Sequence, residues 1–156
     1  MNEELPRPSI LVIIPPPAWA LLFILAGWGA GALLNLAPVF QHTLAGGVAF
    51  AIGFAVSASG RLAFAKAGTE VIPASKKNSS LVISGPFKFT RNPMYLGILI
   101  AMFGLAIVIG TLTAYAAVIV YFLFVNFVSI PYEEEKMERQ FGEAFRDYKS
   151  RVRRWI

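Results

Sequence analysis

The sequence contains no cysteine and only one histidine, His42. The first absence excludes disulfides, a thiolate nucleophile and a thiolate metal site. The second rules out a histidine metal cluster within one chain, so no metal is expected. Charge is scarce too: 15% of residues are charged and 56% are hydrophobic. Soluble domains have about 25% charged and about 45–50% apolar residues. The scarcity is concentrated in two places. From Ser9 through Gly60 there is no acidic or basic residue, and from Asn92 through Tyr132 there is again none. A helix needs about 20 apolar residues to cross about 30 Å of hydrocarbon. Each stretch is therefore long enough to cross twice, with a polar or glycine-rich turn between the passes.

These lengths predict an all-α integral membrane protein. About four transmembrane helices in two hairpins are expected, over residues 18–40, 44–65, 94–110 and 112–130, with a cytoplasmic loop at 66–92. A cytoplasmic amphipathic helix is expected in the tail, 131–156, and residues 1–156 read as a single domain. The start, Asn2-Glu3-Glu4-Leu5-Pro6-Arg7, lacks the basic region of a cleaved signal, and the apolar stretch outruns a signal's length, so the first span reads as uncleaved. Pro15-Pro16-Pro17 argues against any helix starting earlier. Gly27, Gly29 and Gly31 would let another helix approach the first span closely.

Orientation follows from the basic residues, which short cytoplasmic loops retain. The turns at Gln41-His42-Thr43 and Gly110-Thr111 carry none. The central loop carries Arg61, Lys66, Lys76, Lys77, Lys88 and Arg91, and the tail carries Lys136, Arg139, Arg146, Lys149, Arg151, Arg153 and Arg154. Four spans with both termini in the cytoplasm satisfy this pattern, in an inner or plasma membrane. The net charge of +5 then suits anionic lipid headgroups. No folded nucleic-acid motif accompanies it, so no nucleic-acid partner is expected. An oligomer is possible but not predicted.

Two polar segments need more than membrane packing to account for them. In the central loop, Gly68-Thr69-Glu70-Val71-Ile72-Pro73 reads as an irregular connection, and Leu81-Val82-Ile83 leads into a turn at Ser84-Gly85-Pro86. Phe87-Lys88-Phe89-Thr90-Arg91-Asn92-Pro93-Met94-Tyr95 then opens the third span. Pro93 suits a first helical turn and Asn92 an N-cap. One reading is a capped span anchored by Arg91 among lipid heads; the other is a carboxylate or phosphate site made by Arg91 and the helix N-terminus. In the tail, Pro131-Tyr132-Glu133-Glu134-Glu135 precedes a stripe of Met137, Phe141, Phe145, Tyr148, Val152 and Trp155 at helical spacing. A membrane-surface helix explains the stripe. It explains three consecutive acids at an anionic surface less well, and ionisable groups at a membrane boundary mark functional sites.

Leu81-Val82-Ile83-Ser84-Gly85-Pro86-Phe87 followed by Arg91-Asn92-Pro93-Met94-Tyr95-Leu96-Gly97 resembles the isoprenylcysteine carboxyl methyltransferase family. The related phospholipid amine methyltransferases are similar in the same region. The tail adds a second motif: Glu133-Glu134, Met137, Phe141-Gly142-Glu143, Phe145, Tyr148 and Arg151-Val152. Together the motifs cover roughly residues 68–155, while the first hairpin matches only in hydrophobicity. Three positions depart from the family's pattern. Asn92 stands where histidine is common, Phe145 where tyrosine is frequent, and Met137 where leucine is usual.

The resemblance implies an S-adenosylmethionine-dependent membrane methyltransferase acting on a lipophilic or lipid-modified substrate at the cytoplasmic face. It implies that Glu133 or Glu134 accepts from the donor's ribose or amino group and that Arg91, beside Asn92 and Pro93, holds its carboxylate. Tyr95 or Tyr148 would face the sulfonium, which aromatic rings attract. Backbone groups around Val82 and Gly85 would take the adenine. Glu134 would serve as base for an amine or thiol acceptor, and Arg151 would orient substrate or donor. The alternatives are a phospholipid amine N-methyltransferase, an NADPH-dependent enzyme like the sterol reductases, and a non-catalytic membrane module.

Overall fold

A computed structural model describes residues 10–68 and 80–156. The connection read at 69–73, with Lys76 and Lys77, lies outside the described residues. A single turn, α1 (Ile10–Ile13), precedes α2 (Pro16–Leu33) and α3 (Thr43–Lys66). The second half comprises α4 (Pro93–Ile109), α5 (Leu112–Phe124), a π-turn (Val125–Ser129), α6 (Ile130–Phe141) and α7 (Glu143–Arg151). Residues Gly85–Lys88 form a 3-10 turn before α4.

The three prolines open α2 rather than merely approaching it. Pro16 and Pro17 occupy its first turn, where a missing N–H has no helical partner to lose. The expectation that no helix starts earlier is corrected by α1, one turn that ends before the prolines and so asks nothing of them. The first span ends at Leu33, well short of residue 40. Asn35, with φ of 50°, turns the chain there in the left-handed region that asparagine tolerates.

Residues 34–42 then cover the turn of the second hairpin. Val39 N–H donates to Gly110 O at 2.9 Å, Gln41 Nε2 to Val108 O at 2.8 Å, and His42 N–H to Ile107 O at 3.2 Å. The lone histidine caps α3, its Nδ1 accepting from Ala45 N–H at 3.2 Å. The second hairpin turns where expected: Gly110 ends α4 at φ 83°, a conformation that glycine adopts without strain.

Three helical stretches are long and apolar enough to cross a bilayer: Pro16–Leu33, Thr43–Lys66 and the continuous run Leu112–Phe141. The chain is an integral membrane protein. The fourth apolar helix, α4, has 17 residues, roughly 25 Å of rise. It is also the most enclosed, packing against α3 along its length and against α2 and α5. The helix expected in the tail is broken at Gly142, where φ of 53° ends α6 and starts α7 at a new angle.

Close helix approach in lipid depends on small residues, and here the decisive ones are on α3 and α4. Gly46, Gly53 and Gly60 recur every seven residues on α3, and Gly97 and Gly104 do so on α4. A methyl on Gly53 would strike the backbone of Gly97 and Ala101, and one on Gly97 the backbone of Gly53 and Ser57. The glycines singled out on the first span divide. Gly27 and Gly31 meet the start of α5 and Thr111, whereas Gly29 faces open space. Valine at Gly53 or Gly97 should therefore destabilise the protein by at least about 1–3 kcal/mol. Thermal unfolding in detergent should show a lower midpoint for both, and an unchanged one for Gly29→Ala.

Candidate functional site

The polar site is built where the start of α4 meets the returning tail. Gly85, with φ of 61°, begins the 3-10 turn that buries Phe87 and delivers Thr90-Arg91-Asn92 to the head of α4. Pro93 takes the first helical position and is fully buried. Asn92 occupies the N-cap position as expected, but its side chain does not cap. Its Nδ2 instead donates to Arg154 O at 3.0 Å. The residues after α7 run as an extended strap beside this turn. Arg91 N–H donates to Arg153 O at 2.9 Å, and Thr90 Oγ1 to Arg154 O at 3.0 Å.

Charge pairs close the same seam. Glu134 is only 11% exposed and lies between two guanidinium groups. Arg91 Nη2 donates to its Oε1 at 2.7 Å. Arg154 donates from Nη2 to Oε2 at 2.7 Å and from Nε to Oε1 at 3.2 Å. Lys149 Nζ stands 3.8 Å from Oε2. Such charge-assisted bonds are roughly twice as strong as neutral ones. Glu133 points elsewhere and accepts from the Tyr95 hydroxyl at 2.7 Å. The two adjacent acids thus grip two successive parts of one motif, Arg91 and Tyr95.

The apolar stripe of the tail packs on protein. Phe145 and Tyr148 form a core with Val82 and Phe87, joined by Met137, Phe141, Val152, Leu81 and Phe64. Tyr148 donates its hydroxyl to Phe87 O at 2.7 Å, tying α7 to the 3-10 turn. Burial pushes this phenol up to about 12, against a smaller opposing pull from the Arg91 charge. Because the raised value favours the protonated fold, the contribution is complete below pH 10 and is lost as pH rises through about 12.

Most of the residues singled out from sequence come together here: Arg91, Asn92, Pro93, Tyr95, Glu133 and Glu134 line the seam, and Tyr148 braces it. Val82 lies in the adjoining apolar core and Gly85 at the exposed start of the 3-10 turn. Arg151 stays outside. It is exposed, and its Nε donates to Asp147 O, a carbonyl of its own helix. Arg154, which sequence reasoning did not single out, is the tail arginine that pairs with Glu134. Sequence reasoning also missed Thr90 and Asn126, which bond to the strap at Arg154. Nothing in a run of four residues with three arginines distinguishes the one that turns inward. Lys136, counted among the cytoplasmic charges, is 2% exposed.

Removing Glu134 would leave two mostly buried guanidinium groups facing each other. Glu134→Ala should therefore cost about 3–5 kcal/mol. The exposed pair Glu135–Arg139, 2.6 Å apart on one face of α6, is worth about 0.3–0.5 kcal/mol. Unfolding midpoints of Glu134→Ala and Glu135→Ala, measured side by side in detergent, should differ accordingly.

Comparison with known proteins identifies the family. Residues 41–144, more than half of the chain, match the phospholipid methyltransferase family. An uncharacterized protein of Haemophilus influenzae is 36% identical over 63 residues, covering 40% of this chain and 100% of that protein. Methanethiol S-methyltransferase 1 of Bradyrhizobium diazoefficiens is 33% identical over 85 residues, covering 54% of this chain. The match spans about a quarter of that enzyme's length, 27%. No solved structure matches the chain. The family match takes in both the arginine-proline turn and the paired glutamates: the chain belongs to the phospholipid methyltransferase family, membrane enzymes that take a methyl group from S-adenosylmethionine.

Proposed function

We propose that this chain transfers a methyl group from S-adenosylmethionine to a lipophilic acceptor at the cytoplasmic face of the membrane, both termini lying on that side. The observation that carries the reading is the closed seam of Arg91, Tyr95, Glu133 and Glu134, which unites two distant motifs at the end of the membrane helices. The donor's amino-acid end carries one carboxylate and one ammonium group, and the seam has a group suited to each. Arg91 Nε is a buried donor with no partner among the described residues. A buried N–H in that state calls for an acceptor, and a ligand carboxylate supplies one. Each carboxylate has about four lone-pair sites. Among the described residues Glu134 already accepts three bonds, whereas Glu133 accepts one from Tyr95, with the Lys136 charge near it.

The two glutamates therefore divide the work. Glu134 holds Arg91 in place, and Glu133 receives the ammonium or ribose of the donor. When bound, S-adenosylmethionine supplies a methyl carbon activated by a sulfonium. The chain has then to hold donor and acceptor in line and keep water out. A carboxylate acceptor needs no base. A thiol or amine must lose a proton, and Glu133 is better placed to take it than Glu134, whose lone pairs are committed to arginine. Tyr148 packs its ring in the apolar core and serves as a brace, which leaves Tyr95 as the ring beside the acids.

A family-like substrate such as an isoprenylcysteine carboxylate is one acceptor class. A small lipophilic thiol is a second, favoured by the similarity to methanethiol S-methyltransferase 1. Transfer of a labelled methyl group in native membranes, with extraction of the product, tests the reading. Label should enter an organic-extractable product, and Arg91→Met should abolish both transfer and donor binding. With donor saturating, Glu133→Gln should slow a thiol or amine acceptor about 10²–10⁴-fold and leave a carboxylate acceptor far less affected, while weakening donor binding for both. Binding of NADPH with none of S-adenosylmethionine would overturn the proposal.

A further inference from the structure

A π-turn inside a membrane helix is uncommon and tends to occur at functional sites. The one at Val125–Ser129 has a local cause. Pro131, one position into α6, offers no N–H to the Phe127 carbonyl four residues back, and its ring crowds that carbonyl. The preceding turn widens, and Ile130 N–H bonds Val125 O, five residues back. The carbonyl of Asn126 thereby loses the α-helical partner that Ile130 would have been.

What fills that gap is the strap. Arg154 Nη1 donates to Asn126 O at 3.3 Å and lies 3.4 Å from its Oδ1. Trp155 Nε1 donates to the same Oδ1 at 3.0 Å, with its ring 5.3 Å from that of Phe122. The other two nitrogens of Arg154 are the ones bonded to Glu134. All three guanidinium nitrogens are thus committed, two to the acid and one to the π-turn. A planar group held at both edges cannot rotate about its long side chain without breaking a bond.

We infer that Asn126 is a positioning residue of the donor site: the π-turn presents its two oxygens to Arg154 and Trp155, and so fixes Arg154 square to Glu134. The same turn ends on Ser129, which is buried. Asn126 touches neither acid and acts only through Arg154. The inference rests on the seam being the place where S-adenosylmethionine binds.

The test is the dissociation constant for S-adenosylmethionine, measured on purified full-length protein in detergent. Asn126→Leu, which removes the side-chain acceptor at similar volume, should raise it about tenfold. Asn126→Ala, a milder truncation, should do the same if the leucine disturbs folding. Asn126→Asp keeps the acceptor oxygen and should return binding to within about threefold of the natural protein. The decisive arm is coupling. With Arg154→Met already present, Asn126→Leu should add less than about twofold, because the two act in series. Effects that multiply in full would assign Asn126 a merely structural role and overturn the inference. Unchanged binding in Asn126→Leu and Asn126→Ala would overturn it as well, while leaving the donor site standing. Failure of the natural protein to bind S-adenosylmethionine would instead remove the donor site, and this inference with it.

Discussion

The carboxylate of Glu134, held between the guanidinium groups of Arg91 and Arg154, is the interaction on which the rest of the structure depends. It joins segments 43 and 20 residues apart at distances of 2.7 Å. One negative charge alone at a membrane boundary is costly, and so is one positive charge. Brought together with two arginines, and with the Lys149 ammonium 3.8 Å away, the acid is matched. The pairing also fixes register: with Glu134 on Arg91, its neighbour Glu133 falls on Tyr95, one turn further along α4.

The seam can form only if α4 is fixed in depth and rotation. The glycines of α3 and α4 provide this, because their backbones touch and neither helix can slide past the other without a clash. The loop over Gly110 closes the far end of α4, and Pro93 begins the helix at the site itself. Fold and site are in this sense one construction. A short, enclosed helix presents its N-terminus to the polar seam, and longer helices pack around it.

Much of this was legible in the sequence, for identifiable reasons. Two charge-free stretches determine the membrane helices, because water and hydrocarbon sort charge strongly. The motif around Arg91-Asn92-Pro93 and the paired glutamates pointed to each other through opposite charge and family resemblance. What could not be read depended on the third dimension. Arg151, Arg153 and Arg154 are chemically alike, and only the extended path after α7 turns Arg154 inward and leaves Arg151 on its own helix. The π-turn at Val125–Ser129 lies in an apolar run whose composition gives no sign of it, although Pro131 supplies its cause. The heptad glycines of α3 and α4 were visible as residues but had no partner until the two helices met. Gly142 looked like part of a family motif and proved also to be a break in the tail helix.

In the proposed reading, the seam offers a donor for a carboxylate and an acceptor for an ammonium, at the end of an apolar bundle. Its two glutamates are adjacent in sequence yet bond to different partners, Glu134 to Arg91 and Arg154 and Glu133 to Tyr95. The most direct measurement is an experimental structure of the protein with S-adenosylhomocysteine bound. The account predicts the ligand's amino-acid end within hydrogen-bonding distance of Arg91 and Glu133, with Glu134 still bridging Arg91 and Arg154. A ligand seated away from that seam, with Arg91 and Glu133 untouched, would contradict it.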